Sequence, residues 1–209
     1  MPALRPALVP ITAAAALALA GCASVPAVTA PHIAVSATRP CPPPPAWLGA
    51  TAAPTRLQST PANTPQAEAL SQAVGAQGRG AFADVYGTQI TDFPVGRVAL
   101  CVTDLARGRQ LAAAAKRADP GIDLSRLDLY HCGYAQRTLD RAIARIMALG
   151  PTVLGFPLYT ASPVQDASGI QVTTTAKGAH SAALQAALAR AAGNGIPVRV
   201  DPGGPMRPA

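Results

Sequence analysis

Apolar and polar residues alternate most cleanly over Arg97-Val98-Ala99-Leu100-Cys101-Val102-Thr103. Val98, Leu100 and Val102 fall on one side of an extended chain, and Arg97, Ala99, Cys101 and Thr103 fall on the other. That pattern predicts a β-strand. Phe82 to Ile90 also reads as a strand, and a turn over Asp92 to Gly96, containing Pro94, joins the two into a hairpin. Leu127 to Cys132 alternates with Leu127, Leu129 and His131 on one side, and Ile170 to Ala176 is rich in β-branched residues. Val153 to Thr160 is interrupted by Pro157, which predicts an edge or bulged strand. Pro197 to Val200 is a last short one.

Helical spacing fills the intervals. Thr64 as N-cap and Pro65 at the first helical position open a short helix to Val74, ended by Gly75, Gly78 and Gly80. Leu105 to Ala118 is an alanine-rich helix stopped by Asp119-Pro120-Gly121. Tyr134 to Leu149 carries an apolar stripe of Leu139, Ala142, Ile143, Ile146 and Met147, with Arg137, Arg141 and Arg145 lining another, wet face. Ala179 to Ala192 turns Ala183, Leu184, Ala187 and Leu188 inward, and Ser181 is a capping candidate. The order is α, β-β-α-β-α, β-β-α-β. It predicts an α+β fold: an antiparallel or mixed sheet with helices on one face, from two β-β-α-β units in a sandwich related to ferredoxin-like folds.

Composition shifts ahead of this region. Residues 22–62 hold many prolines, among them the run Pro42 to Pro45, and polyproline is extended and builds no packed core. They predict a tether, with Cys41 and Trp47 inside it and Trp47 docking loosely on the domain. The boundaries are then 1–21, 22–62 (tether), 63–201 (α+β domain) and 202–209 (disordered tail). The first segment has one charge, Arg5, an apolar run from Pro6 to Ala20, and Leu19-Ala20-Gly21 before Cys22. Such a segment is a secretory signal, too short to span a bilayer, which takes roughly 20 apolar residues. Leu-Ala-Gly-Cys resembles the bacterial lipoprotein box. The resemblance implies that Cys22 is acylated, becomes the mature N-terminus and holds the protein by lipid to the cell membrane or outer membrane, facing away from the cytoplasm.

The formal charge is +7, but it is spread along the chain and aromatic residues are only 4%, so the basic patch with stacking platforms of a nucleic-acid reader is missing. An exported protein has little occasion to meet nucleic acid. Three cysteines remain besides Cys22. Cys101 and Cys132 fall on the same side of their strands, so they pair in a disulfide if those strands are adjacent, and stay as two free thiols otherwise. His131 beside Cys132 invites a thiol–imidazole nucleophile, but neighbours on a strand face opposite ways. Asp119, Asp123 and Asp128 miss the calcium-loop spacing, and Gly178-Ala179-His180-Ser181 lacks the glycines of a nucleophile elbow. Glu68, the only glutamate, suits a helix's first turn. No catalytic residue, metal ligand or cofactor site is expected.

Phe82-Ala83-Asp84-Val85-Tyr86 with Arg97 to Asp104, then Asp128-Leu129-Tyr130 through Leu139, Ile143 and Ile146, then Gly169 to Thr173, are similar to the hairpin, strand–helix and strand of the pro-regions of α-lytic-protease and streptogrisin-type secreted serine proteases. The likeness covers residues 80–200. It implies an α+β binding scaffold without chemistry of its own, which would meet any protease in trans because the sequence holds no Gly-Asp-Ser-Gly motif. The functional expectation is a membrane-anchored, non-enzymatic binding module for a protein or envelope polymer. Its sheet edge, over Val153 to Thr160, is offered to an extended partner. The alternatives are a trans-acting protease chaperone or inhibitor and an envelope hydrolase.

Overall fold

The computed structural model describes residues 34–43, 64–93, 95–193 and 195–205. All of them belong to one compact unit, Pro31–Ala209. Residues 1–21, expected as a signal segment, with Cys22, Trp47 and the last four residues, lie outside the described residues. In chain order the elements are β1 (Ala34–Pro40), α1 (Thr64–Arg79), β2 (Tyr86–Asp92), β3 (Arg97–Val102), α2 (Leu105–Ala118), β4 (Leu127–His131), α3 (Gln136–Met147), β5 (Thr152–Val153), β6 (Phe156–Pro163), β7 (Ile170–Thr174), α4 (Ala176–Ala179), α5 (Ala182–Ala192) and β8 (Val198–Pro202).

The fold is α+β, and it contains the same β-β-α-β arrangement twice. β2 and β3 form an antiparallel hairpin, α2 crosses over, and β4 returns parallel to β3. Likewise β6 and β7 are antiparallel, α4 and α5 cross over, and β8 lies parallel to β7. The ladders even end alike, with Cys132 N donating to Val102 O at 2.9 Å and Gly203 N to Thr174 O at 2.7 Å. Each unit has its own four-stranded sheet, in the orders β1-β4-β3-β2 and β5-β6-β7-β8.

β3 explains how the halves join. Val98, Ala99, Leu100, Cys101 and Val102 are all fully buried, so both faces of this strand need cover. Val98, Leu100 and Val102 share one core with Leu70 and Val74 of α1, Leu111 and Ala115 of α2, and Leu127 and Leu129 of β4. Ala99 and Cys101, with Ile90, Tyr130 and Cys132, share another with Leu139, Ala142 and Ile146 of α3, Leu184 and Leu188 of α5, and Ile170 and Val172 of β7. The equivalent outer face of β7 is polar: Thr160 and Thr173 hydroxyls bond at 2.7 Å and Gln171 donates to Asp201 at 2.8 Å. One half has thus become the platform on which the other rests.

Local chemistry sets the ends. Asp104 caps α2, accepting from Ala106 N and Arg107 N, and Ser181 caps α5, accepting from Leu184 N. The expected strand 153–160 divides because Leu154 and Gly155 both have positive φ (52° and 82°), making a two-residue hairpin turn between Val153 and Phe156. β6 carries the irregularity expected near Pro157, between Leu158 and Thr160. Helix α1 runs through Gly75 and Gly78 instead of stopping at Val74. Gly78 is there for closeness, since a Cβ on it would stand 2.3 Å from the Tyr86 ring. Phe82 to Val85, expected as strand, is a turn that brings β2 back under that helix. The domain also runs past residue 201, through Pro202 of β8 to the Gly203 bond.

Two expectations are corrected. Residues 34–43 do not belong to the tether: β1 pairs parallel with β4, Ala34 opposite Asp128, Val35 opposite Leu129 and Pro40 opposite His131, and Cys41 N donates to His131 O at 2.8 Å. Proline-rich sequence conceals a strand of this kind because an edge needs only alternate peptide groups to pair. Nor do Cys101 and Cys132 form a disulfide. Cys101 stands opposite Tyr130, so Cys132 is two residues further along the neighbouring strand, a Cα separation of about 8 Å that a bridge does not span. Between Val35 and Pro40, β1 advances five residues while β4 advances two, and this bulge brings Cys41 to a Cα–Cα distance of 5.5 Å from Cys101. The bond is Cys41–Cys101, and Cys132 is a free, buried thiol.

The bridge closes a loop of 60 residues, worth on the order of 4 kcal/mol through the entropy of the unfolded chain. Cys41→Ser should therefore lower the thermal midpoint by many degrees and abolish the further drop on adding dithiothreitol, measured by circular dichroism. Gly78→Ala should cost about 1–3 kcal/mol by overpacking against Tyr86, more than the roughly 1 kcal/mol a helix gains from alanine. A higher midpoint for this variant would contradict that packing.

Candidate functional site

Among the described residues β2 is an edge strand, with β3 on one side and no strand on the other. Along its open side runs a continuous groove of three adjoining hollows. The first, about 410 Å³, is lined by Arg79 and Tyr86 on one side and Gln136, Arg137 and Asp140 on the other. The second, about 300 Å³, continues past Gly87, Thr88 and Gln89, facing Pro163, Val164 and Gln165. The third, about 270 Å³, follows Thr88 to Thr91 beneath Gln165.

Sequence and topology together build this trough. The last turn of α1 supplies Arg79, the first turn of α3 supplies Gln136, Arg137 and Asp140, and the β6–β7 connection supplies Gln165. Asp166 accepts from Ser168 N at 3.0 Å and holds that connection in shape. On the floor, Gly87 is required because a Cβ there would lie 2.3 Å from the Cys132 sulfur. Gln89 and Thr91 are tied to α1 through Ser71: Gln89 Nε2 donates to Ser71 Oγ at 2.6 Å, and Thr91 Oγ1 to the same oxygen at 3.1 Å. The strand is thereby braced from behind while its other edge faces the trough.

The electrostatics are mixed but net basic, with Arg79 and Arg137 against Asp140. Burial pushes the Tyr86 phenol up, and the Arg79 guanidinium, hydrogen-bonded to it, pulls the other way. An open, elongated trough with an unpaired strand edge as floor and polar rims is suited to holding an extended chain by its peptide groups.

The residues singled out in the sequence are dispersed. His131 is exposed at the end of β4 and Cys132 is buried on the opposite face. Burial pushes the Cys132 thiol up to about 12, with a hydrogen bond to Tyr134 O opposing and Asp166 adding to the rise. Asp119 accepts from Gly121 N and Asp123 from Ser125 N, so both are engaged in turns. Among the described residues no three His, Cys, Asp or Glu side chains gather as a metal site. Glu68 accepts from Gln72 at 3.0 Å. Arg137 and Arg141 are exposed, and Arg145 reaches α5, donating to Ala191 O at 3.1 Å and to Ala192 O. The groove residues Arg79, Thr88, Gln136 and Gln165 carry no mark in the sequence; only the strand order reveals that β2 is an edge.

With this geometry in hand, the chain was compared with protein-family models, curated proteins and solved structures, and none matches.

The raised Cys132 thiol gives a measurable sign. It keeps its proton in the folded protein up to about pH 12, while the unfolded thiol loses it near its ordinary value of 9.0. Its contribution to stability is complete below pH 9.0 and is lost as pH rises toward 12. Iodoacetamide at pH 8 should leave Cys132 unmodified in the folded protein and alkylate it after denaturation, read by mass; rapid labelling of the folded chain would contradict its burial.

Proposed function

We propose that this protein is an exported, lipid-anchored binding module, acylated at Cys22, that takes an extended segment of a partner protein along the open edge of β2. The observation that carries the reading is the trough itself: three hollows in line beside a strand with one unpaired side. In β-augmentation the ligand's main chain supplies affinity through ladder hydrogen bonds, and pockets at alternate positions supply specificity. Arg79 and Arg137 at one end favour a partner segment with an acidic residue there.

The docking edge in this reading is on β2 rather than on the 153–160 stretch, where β5 pairs with β6, Thr152 opposite Pro157 and Val153 opposite Phe156. It also shortens the tether. With residues 34–43 bound to the body, the run from the acylated cysteine to the first paired residue is Ala23 to Ile33. Among the described residues no helix is long and apolar enough to cross a membrane; the proposed attachment is the acyl group on Cys22. The pro-region likeness fits the same mode of action, a scaffold that grips a strand of its client in trans.

A photo-crosslinking amino acid at Thr88 or Gln165, introduced in the native host, should give a discrete protein adduct. The same group at Lys177, outside the groove, should give none, and Arg137→Glu should weaken the adduct at Thr88 several-fold. Adducts equal at all three positions would overturn the assignment of the groove. Separately, Cys22→Ser should abolish incorporation of labelled palmitate and release the protein from the membrane fraction.

A further inference from the structure

The two ends of the trough differ. β2 pairs with β3 from Tyr86 to Asp92, and before Tyr86 the chain turns through residues 80–85 back to α1, so the strand edge stops there. What continues is the hollow of about 410 Å³, whose lining includes Arg79 and Arg137. A chain laid along the edge loses its ladder at this point and meets two guanidinium groups.

Those arginines come from opposite faces of the sheet. Arg79 closes α1, whose Leu70 and Val74 pack on the face of Val98, Leu100 and Val102. Arg137 lies in the first turn of α3, whose Leu139, Ala142 and Ile146 pack with Ala99 and Cys101 on the other face. The side chains of an added strand project to one face or the other. A group that stands between both arginines lies instead in the plane of the sheet, in line with the strand, where a main chain ends.

Arg79 is built into its place. Gly75, one turn earlier, makes room for it, since a Cβ there would stand 3.0 Å from Nη1 and 3.1 Å from Nη2. Its guanidinium is hydrogen-bonded to the buried Tyr86 phenol. Asp84, next in sequence to Ala83 of the lining, is held by Arg107 at 2.6 and 3.2 Å. Among the described residues neither Arg79 nor Arg137 is in an ion pair, and Asp140 is the one acidic side chain of the lining. The hollow keeps a net positive charge and N–H donors to spare.

Resting on the reading of the trough given above, we infer that this hollow takes the free C-terminal carboxylate of the partner segment, which pairs antiparallel to β2. An antiparallel strand brings its C-terminus to the Tyr86 end. A parallel one brings its ammonium group there, against two like charges. Hydrogen bonds between guanidinium and carboxylate are charge-assisted and directional, so the terminus sets both the direction and the register of the added strand. The partner class is a protein or peptide whose last residues are extended and end in a free acid.

The test uses the full chain in detergent, with p-benzoylphenylalanine at Thr88. It is presented with a pool of octapeptides drawn at random from Val, Ile, Thr, Ser and Tyr, made once as free acids and once as carboxamides. The acids should give at least about tenfold more adduct than the amides, read by mass. Arg79→Gln together with Arg137→Gln should erase that ratio, and Arg137→Gln alone, on an exposed residue, should lower it several-fold. In the chain without the group at Thr88, a photoreactive residue at the peptide's first position should label the Thr91 end of the groove, and one beside its C-terminus the Arg79 end. Equal yields from acids and amides, a ratio untouched by the arginine variants, or labels in the reverse order overturn the inference and leave the groove assignment standing. No adduct at Thr88 from either pool fails the groove reading, and this inference with it.

Discussion

A β-strand that is apolar on both faces cannot stand at a surface, and β3 is such a strand. Burial of a single large aliphatic side chain contributes roughly 1.5–3 kcal/mol, and β3 places one on each alternate position of one face with Ala99 and Cys101 packed on the other. One layer of helices, α1 and α2, covers the first face. Covering the second takes α3 and the half of the chain that follows it. The demand made by β3 therefore fuses two similar β-β-α-β units into one body and fixes which faces remain available to anything else.

What remains available is edges and ends. β4 is covered on its outer side by β1, and β6 is partly covered by β5. The open side of β2 is bordered by residues from both halves, Arg79 from the first and Gln136 and Gln165 from the second, so the groove exists only because the halves are fused. The disulfide acts in the same region. It links the segment after β1 to the centre of β3, so a proline-rich stretch that composition assigns to a tether belongs to the body. The clasp is fixed to β3, and the groove runs along β2, the strand paired with it.

Much of this was legible in the residues, and the part that was not has definite causes. The alternation in 97–103, the bounds of α2, the apolar stripe of α3, the Ser181 cap and the doubled β-β-α-β order all follow from side-chain periodicity, and periodicity is what burial imposes. β1 has no such mark because it is an edge held by peptide groups, and Pro40 with the proline run after it reads as tether. The disulfide is hidden for the same reason: composition puts Cys41 in a tether, which leaves Cys132 as the thiol on the same face as Cys101. Gly75 and Gly78 look like helix stops in sequence, yet the helix continues through them, and Gly78 admits the Tyr86 ring. The groove was illegible altogether. Thr88 and Gln165 become neighbours through the packing of one half on the other, and no local pattern encodes that meeting.

The central claim is that the open side of β2 is the working surface of the molecule. Amide hydrogen exchange reads it most directly, comparing the protein in its native membranes with the same protein purified in detergent. The account predicts slowed exchange over Thr88–Thr91 in the membranes, with the amides of α2 unchanged between the two samples. Equal exchange of Thr88–Thr91 in both would contradict it.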